Sequence, residues 1–238
     1  AQAALGRDGR ALAALGPPLE SRCLDSEDDV PRQARTELAA TLLAESDPDA
    51  AARRLAALET AAGWSRALAL ASGPFRDAME RRLLMEGAGT PEAKAHFERL
   101  GAKAALARFS RLTDKIELAE AWLRAHDNAR AVALASLLAP EVASRPVARC
   151  RVGYVLGKAA RKMRKYRRAQ AQLNAAREGC FESASETEGA ARDVLRDRAI
   201  RSALLQARVL AIRGRAAPID GLVTWMKTHY PGHTYIDD

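Results

Sequence analysis

The sequence predicts an all-α protein in which short antiparallel helix pairs stack as an α–α superhelix, or solenoid. Three observations lead there. Of the 238 residues, 53 are Ala and only 14 are Val or Ile. The apolar share therefore sits in the best helix former rather than in the β-branched residues that cover pleated sheets. Caps, prolines and glycines recur at short intervals and cut the chain into short helices with short connections. In the second half, turn and stop residues repeat in register.

In chain order, Ser21 to Pro31, with Asp25, Glu27, Asp28 and Asp29, is acidic and poor in large apolar residues. It reads as a linker or exposed turn, with Cys23 a thiol inside it. Ser46-Asp47-Pro48 sets a cap before a proline at a first helical position, and Gly63 is expected to close that helix after Arg53, Leu55, Leu58 and Ala62. Gly73-Pro74 and Gly87-Ala88-Gly89 read as turns. Thr90-Pro91 repeats the start signal ahead of Ala95, Phe97 and Leu100. Residues 1–115 are thus expected to be irregular helical hairpins.

Residues 116–238 carry the repeat. Ala119 is followed by a turn at Asn128, then Ala131, Ala135, Leu138 and a stop at Pro140. Gly157 is followed by Ala169, Leu173 and Ala176, with Tyr166 over the turn between the two helices. Ala207 and Leu210 are followed by Gly214, then Ile219, Val223, Met226 and a stop at Pro231. Small residues at such places let antiparallel helices approach closely. The fit is to the tetratricopeptide period of about 34 residues, with the extra residues between Cys180 and Asp197 expected to form an inserted acidic loop and the start of the next helix. The two regions can equally form one continuous superhelix.

The 38 Lys and Arg against 30 Asp and Glu give a net charge of +8 and a pI near 9.8, which permits an acidic partner. Nucleic acid is not expected: there is no basic recognition helix, stacking cluster or zinc-finger spacing. No run approaches the roughly 18 apolar residues of a membrane span. The segment from Val142 to Arg177 holds eleven Lys and Arg and no Asp or Glu. Within it, Lys158, Arg161, Lys162, Arg164, Lys165 and Arg168 form a candidate basic binding surface. The alternative is a solvated face balanced by nearby acidic loops.

Cys150 and Cys180 lie fifteen residues on either side of Lys165. A hairpin turning there brings both to its open end, either as a disulfide or as two buried thiols. A disulfide would imply an oxidising compartment. His229 and His233 have the i, i+4 spacing of helical zinc ligands, but Pro231-Gly232 breaks the helix that would align them. His96 and His126 stand isolated in the sequence. No metal or other cofactor is expected. Trp64, Trp122 and Trp225 lie in helical apolar patterns and read as core before sugar platforms.

Leu156-Gly157-Lys158-Ala159, Arg164 through Ala169, Ala207 through Arg215 and His229 through Asp238 together resemble the superhelical N-terminal part of soluble lytic murein transglycosylases. The resemblance is closest from Ile116 to Asp238. It implies a periplasmic location after removal of a signal peptide, peptidoglycan as the partner, and a lysozyme-like domain beyond Asp238 as the seat of glycan cleavage. The family's catalytic Glu-Ser and Gly-Leu-Met-Gln elements have no counterpart here. Glu20-Ser21, Glu45-Ser46 and Glu182-Ser183 read as chance dipeptides in turns or linkers, so no catalytic residue is assigned. The other reading is a free-standing tetratricopeptide-type adaptor of the cell envelope that binds a protein segment.

Overall fold

The computed structural model describes residues 29–232, and all regular structure among them is helical, in eleven helices. The described residues divide into two compact units, with the border between Arg99 and Leu100. In the first, α1 (Asp29–Leu43), α2 (Pro48–Ala56), α3 (Ala61–Leu70) and α4 (Gly73–Met85) pack each on the next. Their starts follow local chemistry. Asp47 Oδ1 accepts the Ala50 amide at 2.9 Å and Thr60 Oγ1 accepts the Gly63 amide at 3.0 Å, each satisfying a donor that a helix start leaves open.

Two expectations are corrected in this unit. Gly63 does not close a helix: α2 ends at Ala56, and Gly63 lies in the first turn of α3. A Cβ there would stand 2.6 Å from the Leu55 carbonyl oxygen, so glycine serves close approach rather than termination. The acidic segment is not all linker, since Asp29, Val30 and Pro31 open α1, where a first-turn proline loses no helical hydrogen bond. The rest of that segment, with Cys23, lies outside the described residues.

Helix α5 (Pro91–Ala107) is two helical pieces, because Gly101 has φ 74° and ψ 159°, which no α-helix contains. The border between the two units falls beside this break.

The second unit continues with α6 (Leu112–Arg124), α7 (Asn128–Leu138), α8 (Pro146–Lys162), α9 (Tyr166–Ser185), α10 (Gly189–Ile212) and α11 (Ala217–His229). Each first helix packs on its partner, as α6 on α7, α8 on α9 and α10 on α11. The first helices also pack on one another, α6 on α8 and α8 on α10, and each second helix packs on the first helix of the next pair.

The three pairs turn in the same way. His126, Arg164 and Gly214 all sit in the left-handed region, at φ 61°, 59° and 66°. The next residue in each case returns its amide to a carbonyl five residues back, Asp127 to Trp122, Lys165 to Ala160 and Arg215 to Leu210, at 2.9 to 3.0 Å. This capping pattern satisfies carbonyls that a helix end leaves open.

Contacts across α8 and α9 are symmetric about Lys165. Cys150 meets Cys180, Gly153 meets Ala176 and Gly157 meets Leu173. A Cβ at Gly157 would lie 2.6 Å from Leu173 Cγ and 3.0 Å from the Leu173 backbone nitrogen. Because backbone stands in the way, Gly157→Val is expected to force the helices apart and cost about 1 to 3 kcal/mol. Urea unfolding measures this, and a loss below ~0.5 kcal/mol would refute the close crossing.

The expected inserted loop after Cys180 is also corrected. Helix α9 runs to Ser185 and α10 begins at Gly189, so only Glu186 to Glu188 connect them. The extra residues became helical turns because Ala184 and Leu195 bury their side chains in the core that Cys180, Ala199, Ile200 and Met226 share. Glu182-Ser183 accordingly lies within α9, not in a turn.

Candidate functional site

At the open end of the α8–α9 hairpin, Cys150 and Cys180 are joined as a disulfide with Cα atoms 4.8 Å apart, and both are fully buried. Beside it Phe181 meets Trp225, His229 and Tyr230 edge-on, at ring separations of 5.5, 4.7 and 6.2 Å. Arg177 lies over Trp225 and Arg196 over Tyr230. Trp225 is tilted against His229 and Tyr230, and Phe181 and Trp225 pack on the core that Cys150, Cys180 and Tyr230 share. A hollow of about 330 Å³ opens alongside, lined in part by Asp193, Arg196 and Tyr230. Burial pushes the Tyr230 hydroxyl up to about 12, against the opposing effect of Arg196.

Trp64 and Trp122 are buried, and Trp225 is half-buried in this aromatic cluster. His96 is not isolated in space. Its Nε2 lies 2.8 Å from Glu80 Oε1, and its Nδ1 accepts from Arg99 at 3.2 Å, with His96 and Glu80 both buried. His233 lies outside the described residues. Among the described residues no group of three or more His, Cys, Asp or Glu is placed to hold a metal, and no helix is long and apolar enough to cross a membrane.

The structure sorts nine of the eleven cations of the basic segment into three sets. Arg149, Arg151 and Arg177 are taken up by acids: Glu182 at 3.2 Å, Glu120 at 2.8 Å and Glu178 at 3.2 Å. Lys162, Arg164, Lys165 and Arg168 are exposed at the closed end of the hairpin, where Arg168 reaches Ser136 Oγ on α7 at 3.3 Å. Lys158 and Arg161 are half-buried further along α8. Among the described residues, none of Lys158, Arg161, Lys162, Arg164 and Lys165 has a carboxylate within ion-pair distance. Arg164 also occupies a left-handed position that costs a non-glycine residue about 1 kcal/mol or more.

The face shared by α6, α8 and α10 carries residues that sequence reasoning missed. Glu120 on α6 is 8% exposed. It accepts two hydrogen bonds from Arg151 on α8, at 3.1 and 2.8 Å, and one from Arg198 on α10 at 2.7 Å. Desolvation pushes its carboxyl up, but the hydrogen bonds and charges of the two guanidinium groups outweigh this and hold it below the usual carboxylate value. A little further along, the Tyr154 ring is flanked by Lys158 at 5.6 Å and Arg198 at 6.0 Å. No spacing in the sequence joins Glu120 to Arg151 and Arg198, because the link runs between different helix pairs.

No protein-family model, curated protein or solved structure matches this chain.

Proposed function

We propose that this chain is the superhelical scaffold region of a periplasmic peptidoglycan lytic transglycosylase, holding glycan strands for a lysozyme-like domain that does the chemistry. The observation that carries the reading is the α8–α9 hairpin, closed by a buried disulfide at one end and crowned by uncompensated cations at the other. A disulfide between buried residues suits an oxidising compartment. Cations left without carboxylate partners suit a polyanion, and peptidoglycan stem peptides carry carboxylates. Glycoside cleavage needs a general acid with a raised pKa. Glu120 is held the other way, and Glu182 is exposed and engaged with Arg149, so neither is proposed as that acid.

The tetratricopeptide-like stacking belongs to the same proposal. It is supported by three matching turns and by first helices that pack on one another. That continuous α6–α8–α10 face is also what favours the second reading, an envelope adaptor whose face receives a protein segment.

Retention on purified sacculi tests the first reading. The protein is expected to bind at low ionic strength and to elute as salt rises, because surface attraction is screened over about 10 Å at 0.1 M. The combined change Arg161→Glu, Lys162→Glu, Arg164→Glu and Lys165→Glu is expected to abolish retention while helicity by circular dichroism is unchanged. Undiminished retention of that variant would remove the polyanion reading.

A further inference from the structure

The exposed turn cations explain long-range attraction, but the pair set deeper on α8 is built differently. Lys158 lies against the Tyr154 ring and is half-buried. Arg161, one turn on, has its Nε buried with no hydrogen-bond partner among the described residues. Lys162 and, from α10, Arg201 crowd the same place, and both act electrostatically on Lys158. Asp197, the carboxylate that acts on Tyr154, is committed to Arg201 at 2.7 Å.

We propose that Lys158, Arg161 and Lys162, with the Tyr154 ring as floor and Arg201 opposite, form a seat for a single oxyanion, the carboxylate of a peptide ligand. The source of that carboxylate, a peptidoglycan stem peptide, rests on the reading above; the seat itself does not. One feature distinguishes it from an ordinary solvated face. The cations come from two helices of the continuous α6–α8–α10 face, with Lys158 over the Tyr154 ring of α8 and Arg201 on α10. The Lys158 ammonium is held below its ordinary value by desolvation and by repulsion from Arg201, Lys162 and Arg161, and a bound anion relieves the repulsion. A carboxylate can take hydrogen bonds from Arg161 and Lys158 at once, and such charge-assisted bonds are the stronger kind.

The test uses the whole chain and three probes: an Ala-D-Glu-Lys tripeptide with free carboxylates, the same peptide with its carboxylates amidated, and inorganic phosphate. Calorimetry is expected to show the acid peptide bound at least tenfold more tightly than the amide. Lys158→Gln and Arg161→Gln should each weaken it fivefold or more, Lys158→Arg should retain it, and Lys103→Gln, an exposed residue of α5 outside the basic segment, should leave it unchanged. Phosphate competing with the peptide, and weakened by the same variants, supports the oxyanion seat. Phosphate binding tenfold more tightly than the peptide overturns the carboxylate assignment. Equal binding of acid and amide, or no effect of Lys158→Gln in a variant with unchanged circular dichroism, overturns the seat. The scaffold reading fails separately: acid-peptide binding that depends on Lys158, without retention on sacculi, supports the seat and removes peptidoglycan as its source.

Discussion

Cys150→Ala combined with Cys180→Ala is expected to lower the stability of the second unit by about 3 to 4 kcal/mol, with a fall in Tm of roughly 10 °C. The sequence separation of 30 sets the size on the chain-entropy model, because the cross-link removes many open conformations from the unfolded chain. Location sets the mode of failure. The bond ties the open ends of α8 and α9 together beneath Phe181, Trp225 and Tyr230, so its loss should fray that end first. Thermal unfolding followed by circular dichroism, with and without reductant, measures the effect. Reductant should bring the intact protein close to the variant and leave the variant unmoved. A difference below ~1 kcal/mol between oxidised protein and variant would mean that the packed helices hold this end without the bond.

Glu120→Gln is expected to cost about 3 to 5 kcal/mol, since it leaves the partly buried Arg198 guanidinium without its counter-charge and Arg151 with only Glu117, at 3.9 Å. The loss should fall on the joint between helix pairs, because Glu120, Arg151 and Arg198 come from α6, α8 and α10 in turn. Replacing all three by Met should recover much of the loss, because apolar residues of similar volume carry no desolvation cost. The pH dependence has a definite sign. The folded-state value of Glu120 lies below its ordinary 4.5, so its contribution is complete above the unfolded value and is lost as pH falls through the folded one. Urea midpoints are therefore expected to drop in acid below about pH 4.5 in the native protein. In Glu120→Gln that part of the acid limb should be missing. Acid limbs that superimpose would refute the assignment.

Much of the helical pattern was legible because its signals are local. Asp47-Pro48, Thr90-Pro91 and the stop at Pro231 act within one helical turn, through a side-chain acceptor or a missing amide. Gly214 announced its turn because glycine enters the left-handed region at little cost. The matching turns at His126 and Arg164 carry no such mark, since their conformation is imposed by the helix pairs that they close. Gly63 shows the converse failure. A glycine reads as a breaker, yet here it makes room for the Leu55 carbonyl of a neighbouring helix, a requirement that arises only once the helices are packed. In the candidate site, the cations of α8 were visible as a run, but their division into paired, turn-exposed and half-buried sets was not.

Composition and punctuation by themselves determined that the described chain is helical, roughly where its helices begin and stop, and some of the small residues at the α8–α9 crossing, Gly157 and Ala176 but not Gly153. These follow from propensities and caps that operate over a few residues. Tertiary structure alone decided which acid meets which base, that Glu120 links three helix pairs, and that Lys158, over the Tyr154 ring, lies within electrostatic reach of Arg201. Such pairings join residues 30 to 80 positions apart. They depend on the rotation and register of helices against one another, which side-chain packing sets and linear spacing does not encode.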